Sequence, residues 1–190
     1  MTKNTPLISV IMAAFNAQNF AERAIESVLN QTFKNFELII INDASTDDTY
    51  KIIKRYEAKD KRIKVVNNKE NLQVAGCLNI GAELARAPLI ARMDADDFSY
   101  PERLEMQYNL LEKNPKIAIV GADMVIVDEK GRLVFKREYP KEDAELKNVM
   151  FRYSPFAHPV VTMRRNVFEE FGGYDTKMVP CEDIDLWFKI

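Results

Sequence analysis

Glu37-Leu38-Ile39-Ile40-Ile41, closed by Asn42-Asp43-Ala44-Ser45, sets four consecutive apolar residues in front of a cluster of turn formers. A short run of this kind, rich in β-branched residues, reads as a buried strand that ends in a loop. Upstream, residues 7–14 have the same character and run out at Asn16, and Ala24, Ile25, Val28 and Leu29 lie between the two runs at helical spacing. The unit is strand, helix, strand. Downstream the alternation continues. Tyr50, Ile52, Ile53 and Tyr56 form an apolar helical face for which Ser45 and Asp48 supply the start signal. Residues 63–66 and 89–93 read as strands on either side of a helix at 74–85. Pro101 suits the first position of a helix that reaches about Asn114, and 117–120 is a further strand.

Strands alternating with helices predict an α/β domain: a mostly parallel sheet, Rossmann-like, with helices on both faces and right-handed crossovers. From about Gly121 the pattern changes. Residues 124–127 and 132–136 flank Asp128-Glu129-Lys130-Gly131 and read as a hairpin, a small antiparallel element after the sheet. Residues 160–163 follow as a strand, 166–171 as a short helix stopped by Gly172-Gly173, and 182–190 as the opening of another helix. A stop in mid-pattern at Ile190 is what a fragment of a longer chain would show.

Composition excludes several classes. The 190 residues are 47% hydrophobic and 29% charged, as in ordinary globular domains. With 27 basic and 29 acidic side chains there is no basic field to hold a polyanion, so no nucleic-acid partner is expected. Cys77 and Cys181 lie far apart, without the spacing of a zinc site or a disulfide framework. No apolar run approaches the roughly 20 residues needed to span a bilayer, and Met1-Thr2-Lys3-Asn4-Thr5-Pro6 lacks the features of a secretory signal. A cytoplasmic location is expected, with contact at the inner face of the membrane left open.

In open parallel sheets, ligands bind beyond the carboxyl ends of the strands. Asn16, Asp43 and the cluster Asp94, Asp96 and Asp97 fall at those ends. Ser45, Asp47 and Asp48 are explained as turn and cap residues. Three carboxylates within four residues repel one another, and a bound cation relieves that repulsion. Oxygen-only ligands point to Mg2+ or Mn2+, ions that typically bridge to phosphate.

The segments Ser9-Val10-Ile11-Met12-Ala13-Ala14-Phe15-Asn16, Ser27-Val28-Leu29-Asn30-Gln31-Thr32-Phe33 and Phe36 through Thr49 resemble the opening of the family-two glycosyltransferases. Ala91-Arg92-Met93-Asp94-Ala95-Asp96-Asp97, followed by Pro101-Glu102-Arg103-Leu104, resembles that family's D-x-D segment. Gly172-Gly173-Tyr174 and Glu182-Asp183-Ile184-Asp185-Leu186-Trp187 resemble its catalytic segment. The resemblance implies the GT-A fold. It also implies inverting transfer of a sugar from a nucleotide-diphosphate donor to a carbohydrate or glycolipid acceptor, in cell-surface polysaccharide assembly.

Carried onto this chain, the resemblance makes Asp43 the partner of the nucleotide base and places Ala13 and Phe15 along the base pocket. Asp94 falls near the ribose, Asp96 on the metal, and Asp183 becomes the general base. Residues 1–120 would form the nucleotide-sugar half, and 121–190 the catalytic-base and acceptor half of the same domain. The chain departs from the family where Asp43-Ala44-Ser45 replaces a frequent Asp-Gly-Ser and where Leu78-Asn79 replaces a frequent Arg-Asn.

Arg92 shares a strand face with Asp94 and suits either an internal ion pair or a donor contact. Arg103 is placed to neutralise the carboxylates. His158 and Trp187 read as structural. Rival functions lack their motifs: no glycine-rich phosphate loop follows the first strand, and no G-x-G-x-x-G is present. An aspartyl phosphatase could use Asp94 or Asp96 but leaves the other segments unexplained. A domain that binds nucleotide or sugar without turnover is the remaining alternative.

Overall fold

The computed structural model describes residues 5–128 and 130–190. The first four residues of the N-terminal stretch, and Glu129 of the hairpin turn, lie outside the described residues. In chain order the elements are β1 (Ile8–Ala14), α1 (Ala21–Leu29), β2 (Phe36–Asn42), α2 (Thr49–Glu57), β3 (Ile63–Asn67), α3 (Gln73–Leu84), β4 (Leu89–Asp94) and α4 (Arg103–Lys113). There follow β5 (Ile119–Val120), β6 (Met124–Val127), β7 (Leu133–Arg137), α5 (Asp143–Val149), a 3-10 turn at His158–Val160, β8 (Thr162–Arg164), α6 (Arg165–Glu170) and α7 (Glu182–Lys189).

Six strands form the main sheet in the order β3-β2-β1-β4-β8-β5. β1 to β4 are mutually parallel, and β8 runs antiparallel between β4 and β5. β6 and β7 form the separate antiparallel hairpin, with a register shift at Ile126/Val127. All seven residues of β2 are buried, because successive side chains enter two different cores. Leu38 and Ile40 pack with Val10, Met12 and the buried stripe Ala21, Ala24, Ile25 and Val28 of α1. Ile39 and Ile41 pack on the other face with Leu78 and Ala82 of α3 and with Leu186 and Trp187 of α7. Each fully buried aliphatic side chain contributes roughly 1.5–3 kcal/mol, which makes the sheet a stiff base for the loops at its ends.

α1 and α2 cover one face and α3 the other, as right-handed crossovers require once the chain reverses direction from β3 to β4. A β-carbon on Gly81 of α3 would stand 2.3 Å from Ile11 Cγ2, so glycine is what lets this helix lie against β1. The reversal puts the topological switch point between β1 and β4, where Ala13 pairs with Asp94.

Several expectations shift. Ser45 does not cap α2: Asp48 takes the cap position, Asp47 Oδ1 accepts the Thr49 N–H at 2.9 Å, and the Ser45 hydroxyl accepts the Asn16 N–H at 3.1 Å. Pro101 lies in a turn ahead of α4, which starts two residues later because the Pro101 carbonyl is drawn to the Thr32 N–H at 2.8 Å. The strand expected over 117–120 is confined to Ile119–Val120, and that expected over 160–163 starts at Thr162, after the 3-10 turn.

Candidate active site

The carboxyl ends of β1, β2 and β4 border an open cleft of about 370 Å³ lined by Ala13, Ala14, Phe15, Asp43, Asn71, Gln73, Val74 and Asp94. Four residues marked from sequence, Ala13, Phe15, Asp43 and Asp94, therefore share one cavity. Phe15 is 52% exposed and offers an open ring at its rim. Asp43 is 3% exposed; its Oδ1 accepts the Asn68 Nδ2–H and the Leu72 N–H, each at 2.8 Å. The Cys77 thiol lies against the same carboxylate, and burial together with that charge pushes the thiol well above its usual range.

Asn16, Ala44 and Gln73 hold positive φ angles of 48°, 56° and 61° around this cleft. For alanine the left-handed region is strained, so the Ala44 turn is retained against local preference. Cross-bonds fix it. Asn16 Oδ1 accepts the Thr46 N–H at 2.9 Å, and the Thr49 hydroxyl accepts the Ala17 N–H at 2.7 Å.

Asp94, Asp96 and Asp97 bring carboxylate oxygens within 4.8 Å of one another. Asp94 is half-buried, but Asp96 and Asp97 are exposed, so water screens part of the repulsion expected for a buried cluster. Arg92, 6% exposed, grips Asp94 in a two-pronged pair at 2.6 and 2.8 Å. Burial raises the Asp94 carboxyl, Arg92 opposes that rise, and Asp96 adds to it. The protein behind Asp97, and then the charges of Asp94 and Asp96, push that group up to about 6. Three oxygen donors at this spacing fit a hard divalent cation.

Arg103 acts on the carboxylates through its charge, which opposes the rise of Asp97, rather than through a direct ion pair among the described residues; its Nη2 donates to the Arg92 carbonyl at 2.6 Å and its Nε to Gln107 at 3.2 Å. The turn after the carboxylates is held from α1 instead. Gln31, wholly buried, accepts the Leu104 N–H at 3.0 Å and donates to the Tyr100 carbonyl at 2.7 Å, while Ser27 accepts the Ser99 N–H at 3.0 Å. Ser27 and Gln31 stand in a quoted motif, but their work is done across about 70 residues of chain, and no local pattern shows it.

Asp183 lies apart from the cleft lining, at the second residue of α7. Its neighbour Glu182 is buried, with Oε1 3.9 Å from His158 Nδ1 and Oε2 without a hydrogen bond. His158 Nε2 meets the Tyr174 hydroxyl at 2.9 Å, and burial pushes the imidazole down to about 2, so it is neutral. Trp187 is buried edge-on to Phe156 and His158.

A doubly wound sheet with an acidic cleft at its switch point and a hairpin behind it is the GT-A class of fold. The model for the family described as glycosyl transferase family 2 matches residues 9–172, and the chain belongs to that family. A putative glycosyltransferase of Bacillus subtilis, EpsE, is 39% identical over 187 residues, 97% of this chain and 66% of that protein. The chain spans 66%, 61% and 64% of the lengths of three such relatives. Among solved structures, S. aureus TarS in complex with UDP superposes with a TM-score of 0.78 at 20% identity, over 96% of this chain and 54% of that one. The mannosyltransferase PcManGT of Pyrobaculum calidifontis, in complex with GDP-Man and Mn2+, gives 0.74 at 20% identity, over 98% and 52%.

Among the described residues, no helix is long and apolar enough to cross a membrane.

Proposed function

We propose that this chain transfers a sugar from a nucleoside-diphosphate donor to an acceptor hydroxyl by single displacement, with inversion at the anomeric carbon. The observation that carries the reading is that Asp43 and Asp94 share one cleft at the switch point, with Asp96 and Asp97 clustered beside Asp94. TarS with UDP and PcManGT with GDP-Man and Mn2+ support a donor of this class.

In this reading Asp43, held by Asn68 and Leu72, accepts an N–H of the base, while Ala13 and Phe15 border the ring. Asp94, oriented by Arg92, meets the ribose, and Asp96 holds Mn2+ or Mg2+. When bound, that ion supplies Lewis-acid stabilisation of charge developing on the diphosphate. Asp183 takes the proton of the acceptor hydroxyl as its oxygen bonds to the anomeric carbon and the carbon–phosphate oxygen bond breaks, its electron pair leaving with the diphosphate. No covalent intermediate is needed, in contrast to retaining chemistry. The acceptor is a carbohydrate or glycolipid, and the work belongs to cell-surface polysaccharide assembly on the cytoplasmic side of the membrane.

Because Asp183 lies outside the cleft lining, binding without turnover is the second reading. A thermal-shift screen of nucleoside diphosphates and their sugar conjugates with Mn2+, followed by measurement of diphosphate release, separates the two. Stabilisation together with release supports transfer, stabilisation alone supports the silent domain, and neither response contradicts both.

A further inference from the structure

The proposed base lies at the start of α7, whereas the donor groups lie at the ends of β1, β2 and β4, so something must hold the two parts in register. One chain of contacts runs to α7 from α3, the helix that packs on β1 and β2. In α3, Asn79 imitates a peptide partner: its Nδ2–H donates to the Tyr174 carbonyl at 2.8 Å, and its Oδ1 accepts the Tyr174 N–H at 3.0 Å. Gly173 makes this approach possible, since at φ 73° a β-carbon there would stand 2.8 Å from Asn79 Oδ1. The Tyr174 ring, 5% exposed, is wedged against Phe168 and His158, with centroids 5.3 and 5.1 Å away.

The hydroxyl of Tyr174 then meets His158 Nε2 at 2.9 Å. Because the other ring nitrogen faces Glu182 Oε1 at 3.9 Å, the favoured tautomer carries its proton on Nδ1, toward the carboxylate, and accepts the tyrosine O–H at Nε2. Trp187, one helical turn beyond Asp183, backs the imidazole edge-on at 6.0 Å. Charges from both sides reach the same hydroxyl. Burial raises Tyr174, Arg92 opposes, and Asp183, Glu182 and Asp94 add to the rise. The tyrosine is thus the side chain on which the donor pair Arg92–Asp94 and the Glu182-Asp183 turn both act.

We propose that Tyr174 and His158 are positioning residues for transfer: they seat the first turn of α7, and with it Asp183, against the donor end of the sheet. This rests on the reading of Asp183 as the base. Neither residue needs to touch substrate. Loss of their contact should let the turn shift, and misplacement of a reacting group by about 1 Å can lower a rate by up to about 10²-fold.

The test is a double-mutant cycle in the full-length protein, reading kcat for transfer and donor Kd in Tyr174→Phe, Asp183→Asn and the double variant. Tyr174→Phe, which keeps the ring, should lower kcat about tenfold with donor Kd within about twofold of the parent. In the Asp183→Asn background it should have no further effect, which a merely structural loss would not reproduce. Unchanged kcat in Tyr174→Phe, or a reduction that multiplies in full in the double variant, overturns the inference while the base assignment stands. Full activity in Asp183→Asn overturns both. If Tyr174→Phe does not fold, His158→Leu enters the same cycle beside His158→Gln. Glutamine still offers an acceptor and a donor and should recover most of the rate that leucine loses, whereas equal, parental rates in both would overturn the inference.

Discussion

The two ends of the central sheet treat their acids in opposite ways. At the amino end, Glu37 is 4% exposed and saturated: Ser9 Oγ donates to it at 2.7 Å, as do the Arg86 backbone N–H at 2.8 Å and the Arg86 Nε at 2.7 Å. At the carboxyl end, Asp96 and Asp97 crowd Asp94 within 4.8 Å, and among the described residues only Asp94 of the three is held in a direct ion pair. An acid with its acceptors filled holds the fold together. Acids gathered without partners oppose folding slightly, and their use lies in what they bind.

The largest effect that could break this contrast belongs to Asp96. Asp96→Ala should lower Mn2+-dependent transfer on the order of 10³-fold, the loss of several kcal/mol of charge stabilisation, while thermal stability stays the same or rises. Asp97→Ala, measured alongside, should do less; equal losses would move the metal contact away from Asp96.

Asp43 sharpens the picture because it is buried at the binding end and yet partly saturated. Asp43→Asn keeps an acceptor for Asn68 and Leu72 but can turn an N–H toward the base. Nucleotide affinity should fall roughly 10- to 100-fold, in line with a charge-assisted hydrogen bond, as read by calorimetry. Unchanged affinity would remove Asp43 from the base pocket.

Glu37 supplies the opposite outcome. Glu37→Ala should lose roughly 2 kcal/mol in urea unfolding, from donors left unpaired and with the exposed Arg86 contributing little, and nucleotide affinity should hold. A drop in affinity as large as that of Asp43→Asn would erase the distinction between the two ends.

The smallest effect concerns His158, faced by Tyr174, Glu182 and the charge of Arg92. Its folded value of about 2 lies below the ordinary 6.5, so beneath pH 6.5 the unfolded chain takes up a proton that the folded chain does not. Stability should therefore fall by about 1 kcal/mol as pH drops from 6.5 to 5.5, and His158→Gln should flatten that portion of the curve. Parallel curves for the two proteins would show that the imidazole is not held neutral.

Much of the donor end was legible because its causes are local. β1, β2 and β4 are largely apolar runs, since both of their faces are buried; β2 and β4 stop where the acids begin, and β1 runs out just ahead of Asn16. The contacts that aim those acids were not legible. Gln31 reaches Leu104 across 73 residues, and Arg92 suited two roles until its pair with Asp94 was seen. α5 has no buried residue and so carries no apolar stripe to read. β8 enters the sheet as three residues paired out of sequence order, an arrangement that depends on tertiary packing. Pro101 suited a helix start by local rule and was overruled by its carbonyl bond to Thr32.

The measurement that bears most directly on a divided site, with donor groups on the sheet and the base on α7, is Asp183→Asn in the full-length protein, with donor Kd and kcat taken from the same preparation. The substitution keeps the shape and removes the base, so donor Kd should stay within about twofold while kcat falls on the order of 10²–10⁴-fold. Full transfer activity at saturating donor and acceptor, or a loss of donor binding that accounts for the whole effect, would contradict the account.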